Sequence, residues 1–208
     1  LVGAGVTLTI EPGVTVKFNR SKAMEVDGTL IAQGSASNKI IFTSNQPYPA
    51  AGDWGYIEFK AGSTGTTFDG NGDYVSGSIL EHCRVEYGGS YSTVVVNGAP
   101  YINSCTFTNN RGNGVVGAYR STGSAFDPVK ITNSTFTQND AVAIRFAINA
   151  TITGNTITYN KLGIRVGGGA TTITDNVITH NTGSGQWAGG IWGNIQPGSV
   201  VTISGNQI

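Results

Sequence analysis

Four groups of side chains in this chain have the types and spacing to do chemistry. Glu25 and Glu58 are carboxylates set in short apolar segments, Met24-Glu25-Val26 and Tyr56-Ile57-Glu58-Phe59, and Asp27 directly follows the first. A glycosidase needs two carboxyls about 5 to 9.5 Å apart, one to protonate the leaving oxygen and one to attack or to activate water. These three are the candidates for that pair. Arg145, Arg165 and Trp192, with Trp187 in the Gly-rich stretch 182–189, supply guanidinium and indole planes suited to a sugar ring, a uronate or a sulfate. Tyr56, with Tyr48 and Trp54, forms a second aromatic group. Asp69-Gly70-Asn71-Gly72-Asp73 places oxygen ligands at alternate positions on a loop sharpened by Gly, which suits Ca²⁺. The match is partial: Tyr74 stands where such loops carry Gly, and Leu80 where they carry a bidentate acid.

Composition narrows what these groups can serve. Across 208 residues, 12 basic side chains balance 12 acidic ones, so no net charge draws the chain to nucleic acid. No run of 18 apolar residues is present to insert into a membrane. Gly reaches 31 residues while charged residues make up only 12%, a balance that suits an extracellular or cell-surface all-β protein with many tight turns. The chain opens inside a β pattern and stops partway through a repeat, and is expected to be a piece of a larger extracellular protein. Two Cys are too few for a disulfide framework.

The elements that must position these groups follow from a repeat. The phrase Ile131-Thr132-Asn133-Ser134-Thr135-Phe136-Thr137-Gln138-Asn139 returns from Ile152, from Ile173 and, cut short, from Ile203, at spacings of 21, 21 and 30 residues. A unit this short cannot bury its own apolar residues and must stack on its neighbours. Alternation with period two runs through nearly every segment, and Gly, Asn or Asp marks the breaks, so the units are strands. Aligning them gives three short strands per coil, with Ile, Val, Phe and Leu inward. A corner column of Cys83, Cys105, Ser134, Asn155, Asn176 and Asn206 is expected to form a hydrogen-bonded ladder. In-register stacking would make the two Cys adjacent, buried and reduced. About seven to eight coils at roughly 4.8 Å each make a rod about 35 Å long.

The Ile-Thr-Gly-Asn-Thr-Ile-Thr-Tyr-Asn phrasing at 152–160, with the leading Gly5-Val6-Thr7-Leu8-Thr9-Ile10-Glu11-Pro12-Gly13-Val14-Thr15-Val16-Lys17-Phe18, resembles the right-handed parallel β-helix superfamily, the pectin-lyase-like fold, in its secreted bacterial surface members. The resemblance covers nearly all of residues 1–208 and implies a single parallel β-helix domain. It implies no one activity, because the superfamily holds lyases, hydrolases, epimerases, adhesins and spacers. Its enzymes work on the outer face of the first strand. Here that face is expected to carry the column Glu25, Glu58, Val95, Val116, Arg145, Arg165 and Trp192. Acids then gather at one end and arginines at the other, with Glu58 and Arg145 about 15 Å apart, too far to act on one sugar. The Asp pair of polygalacturonases and the acidic calcium cluster of pectate lyases have no counterpart.

Three functions are consistent with this pattern. The first is a non-catalytic surface module, scaffold or adhesive rod, touching polysaccharide through Arg145, Arg165, Trp187 and Trp192. The second is a lyase or hydrolase of acidic polysaccharide that uses Glu25, Asp27 and Glu58. The third is ice binding through the Thr-x-Thr columns at Thr106/Thr108, Thr135/Thr137 and Thr156/Thr158. Uncapped coil ends further suggest adjoining domains or end-to-end self-association.

Overall fold

The computed structural model describes residues 1–89, 92–118, 129–146, 149–183 and 189–208. Among them there is no helix, and all the strands but two fall into three parallel sheets of eight, seven and seven strands, the remaining two pairing as a small antiparallel hairpin. The first sheet stacks Met24–Val26, Ile57–Phe59, Ser92–Val96, Gly114–Ala118, Val142–Phe146, Leu162–Val166 and Ile191–Gly193. The second runs from Thr15–Phe18 to Val177–Thr179 and the third from Thr7–Ile10 to Val200–Ser204. The chain visits the sheets in turn, one strand each, so every coil lies on the one before it. This is a right-handed parallel β-helix with three strands per coil.

Three apolar columns line the interior. In the first sheet Ile57, Val94, Val116, Ile144 and Ile164 are in register, in the second Phe42, Val85, Phe107, Phe136, Ile157 and Ile178, and in the third Leu80, Ile102, Ile131, Ile152 and Ile173. All are buried in one continuous cluster. Stacking like on like keeps side-chain shape constant from coil to coil; the Phe107 and Phe136 rings lie 4.7 Å apart and nearly parallel, at 11°. Burying each such side chain contributes about 1.5–3 kcal/mol.

Register corrects one position of the expected outward column. Val116 pairs with Val94 and Ile144 and points inward, and Gly117 stands between Val95 and Arg145. The outward column is therefore Glu25, Glu58, Val95, Gly117, Arg145, Arg165, Trp192.

The corners explain why the repeat reads as it does. The expected ladder is present: Asn176 Oδ1 accepts from both the backbone N–H and the side-chain Nδ2 of Asn155, each at 2.9 Å, and Asn155 Nδ2 also donates to the carbonyls of Ile131 and Thr153. Cys105 stands in for Asn by donating its thiol to Leu80 and Asn103 carbonyls, and Cys83 does so to Ala32 and Glu81. Both Cys are free and buried. The neighbouring Cys105 thiol, together with burial, holds the Cys83 thiol well above its ordinary value, so it stays protonated. A second ladder, Asn110, Asn139, Asn160 and Asn181, closes the corner between the second sheet and the first. Each ladder residue follows one in the left-handed region: His82, Ser104, Asn133, Gly154, Asp175 and Gly205 at one corner, Asn109, Gln138, Tyr159 and His180 at the other. His82 and His180 are thus corner residues.

Candidate functional site

The sheet places Arg145, Arg165 and Trp192 on consecutive coils, directly in register. Their neighbours along each strand are buried apolar residues, Ile144, Phe146, Ile164 and Val166, so alternation drives the arginines outward. Strands one coil apart are about 4.8 Å apart. Two guanidiniums at that spacing repel each other, and one relief is visible: Arg165 Cζ lies 4.5 Å from the centre of the Trp192 ring, a cation–π contact.

Beside this row is a cleft of about 240 Å³ lined by Arg145, Arg165, Lys161, Asn113, Val142 and Leu162. Lys161 sits 3.5 Å from Asp140 across an exposed ion pair, which screening makes weak. Three cations, an amide and two apolar side chains thus face one concavity. That set can hold an anionic group and pack against the apolar face of the ring that carries it.

The carboxylates lie at the other end of the same face and are engaged there. Glu25 and Glu58 are neighbours in register. Lys60 Nζ is 2.6 Å from Glu25 Oε2, and Asn97 donates to Glu58 Oε1 at 2.8 Å. The hydrogen bond from Lys60 and its charge hold Glu25 below the ordinary glutamate range. A general acid that protonates a glycosidic oxygen needs the opposite shift. Asp27 lies on the same edge, against Gly62. Glu58 is three coils from Arg145, about 14 Å, so acids and arginines do not meet on one sugar.

The second aromatic group divides. Trp54 is fully buried, its ring stacked on Phe18 at 4.3 Å and its Nε1 donating to the Glu86 carbonyl. It belongs to the core and not to a surface platform. Tyr48 is exposed, and Tyr56 is half-buried beside the acidic end, about four coils from Arg165. Trp187 lies outside the described residues.

Asp69, Asn71 and Asp73 occupy the tip of a side hairpin, Thr67–Phe68 with Tyr74–Ser76. Asp69 Oδ1 accepts the backbone N–H groups of Asn71 and Asp73, both at 2.9 Å, and those bonds, Asp73's first, hold its carboxyl below the ordinary aspartate range. Lys130 Nζ donates to the Gly72 carbonyl and lies 4.3 Å from the Phe68 ring centre. The same residues that read as a cation loop therefore close a turn with their own backbone donors. Among the described residues, no group of three or more His, Cys, Asp or Glu comes together to hold a metal.

The Thr columns are in register, Thr106 with Thr135 and Thr156, and Thr108 with Thr137 and Thr158. Thr108 is buried and Thr106 accepts a hydrogen bond from Lys39, so the array is not uniformly exposed.

Residues 68–208 match the family model described as right handed beta helix region, and residues 1–107 match the one described as pectate-lyase like beta helix domain. No curated protein and no solved structure matches the chain.

Proposed function

The chain belongs to the right-handed β-helix family, and on that premise we propose that it is a non-catalytic, extracellular or cell-surface module that binds acidic polysaccharide on its first-strand face. One observation carries this reading. Arg145, Arg165 and Trp192 stand in a single column with the Arg165 guanidinium over the indole, and Lys161 and both arginines line the adjoining cleft. Cations spaced about 4.8 Å apart along a rigid rod suit a polymer with regularly repeating carboxylates or sulfates. A rigid sheet holds the charges in place before binding, which limits the ordering cost.

Binding without turnover is supported by the state of the acids. Glu25 is tied to Lys60 and Glu58 to Asn97, at a distance from the arginines. Affinity electrophoresis through gels containing polygalacturonate tests the proposal. Migration retarded in proportion to polymer, and restored by salt, is expected. Unretarded migration, or unsaturated or reducing ends accumulating from the polymer, would overturn it.

A further inference from the structure

Lys161 belongs to two concavities at once. One is the cleft it shares with Arg145 and Arg165; the other is a broad hollow of about 400 Å³ at the adjacent corner, lined by Gln138, Asp140, Tyr159, Lys161 and Thr182 over a floor of Asn139 and Asn160. The two meet where the second sheet turns into the first. The floor is rigid, because Asn139 and Asn160 are links of the second ladder, each amide donating to the next coil's Oδ1.

The residues lining this corner are unusual for their backbone. Gln138, Tyr159 and His180 occupy the left-handed region with φ of 56°, 57° and 56°. That conformation costs a side chain about 1–2 kcal/mol and favours Gly, Asn, Asp or His. The opposite corner mostly follows that preference, with Asn133, Gly154, Asp175 and Gly205. Here Gln138 and Tyr159 depart from it. The Tyr159 and His180 rings stack at 5.1 Å and 25°, and Tyr159 remains 59% exposed. Strain retained at an exposed aromatic pair beside a cleft points from conformation toward function.

We propose that the hollow is a second subsite, for a neutral hydroxyl-rich sugar. One glycan then bends round the corner, its acidic residue against Arg145 and Arg165 and its neutral residue on Tyr159. The inference rests on the binding face proposed above. Tyr159 offers a ring for the C–H face of a pyranose, while Gln138, Thr182 and the Lys161–Asp140 pair offer donors and acceptors for its hydroxyls. Tyr159 and Arg165 are six residues apart, at most about 20 Å of chain, within reach of a short oligosaccharide. The path from Arg165 to Tyr159 follows one coil while the Arg145–Arg165 row runs across coils, so the fitting architecture is an acidic backbone with neutral side branches.

Three probes test this by titration: an oligogalacturonate, an oligogalacturonate bearing galactose branches, and the galacto-oligosaccharide alone. The protein is expected to bind the branched probe at least fivefold tighter than the linear one. Tyr159→Asn, which suits the left-handed backbone, is expected to erase that difference, leaving the linear affinity unchanged and the melting temperature no lower. Equal affinity for branched and linear probes, or equal weakening of both by Tyr159→Asn, overturns the subsite and leaves the binding face standing. If the acidic probes bind no better than the neutral one, and Arg165→Gln changes nothing, the binding face itself fails and the subsite with it.

Discussion

Lys60 Nζ lies 2.6 Å from Glu25 Oε2, one coil away on the face where an enzyme of this architecture would keep its acids. The contact is roughly two-fifths exposed on each side, so it contributes little to stability. Its consequence is electrostatic. By stabilising the carboxylate it keeps Glu25 ionised and removes it as a proton donor at neutral pH. Carboxyl ¹³C titration by NMR is expected to give Glu25 a midpoint below the ordinary glutamate value, rising in Lys60→Ala. A midpoint above the ordinary value would restore Glu25 as a general-acid candidate.

The register at the centre of the first sheet predicts an asymmetry between two valines. Val116 is fully buried and Val95 faces outward. Val116→Thr places a hydroxyl in the core and is expected to cost about 1–3 kcal/mol, whereas Val95→Thr stays within about 0.5 kcal/mol. Urea denaturation of the two variants measures the difference. Equal losses would contradict the register.

The inner columns and the Asn155 corner are legible in the sequence because a 21-residue period fixes which residues stack. Three features are not. Val115-Val116 lacks alternation, so a one-residue slip cannot be told from the correct register by pattern, and only pairing with Val94 and Ile144 resolves it. The second ladder hides in plain view: Asn139, Asn160 and Asn181 end the repeated phrase, but an Asn before a strand reads as a turn residue until the coils are superposed. Trp54 sits beside a polar loop, and its partners Phe18 and Glu86 are more than 30 residues away in sequence. The Arg145, Arg165 and Trp192 row, by contrast, is legible because each follows an inward Ile in register.

That second ladder makes a stability prediction. Asn160 Oδ1 accepts from the N–H and Nδ2 of Asn139, and its own Nδ2 donates to the Phe136 and Thr158 carbonyls. Asn160→Ala orphans these buried groups together, at about 1–3 kcal/mol each before relaxation. A net loss of about 3 kcal/mol or more is expected on urea denaturation. A loss below about 1 kcal/mol would show that the corner does not depend on its amides.

The side hairpin predicts a pH effect. Asp69 is held below the ordinary aspartate range by the Asp73 and Asn71 N–H groups. A depressed carboxyl stabilises the fold fully above its unfolded value, near 3.9, and that contribution is lost as pH falls through the lower folded value. Hydrogen exchange at the Asn71 and Asp73 amides is therefore expected to stay slow until the pH drops below about 4 and to be fast throughout in Asp69→Ala. Equal protection in both proteins would remove Asp69 from the turn.

Titration of the protein with oligogalacturonate, alongside Arg165→Gln and Trp192→Ala, tests the central claim most directly. Saturable binding is predicted for the unmodified protein, weakened at least tenfold in Arg165→Gln and severalfold in Trp192→Ala, with melting temperatures preserved and Glu25→Gln binding unchanged. Undiminished affinity in both Arg165→Gln and Trp192→Ala would contradict it.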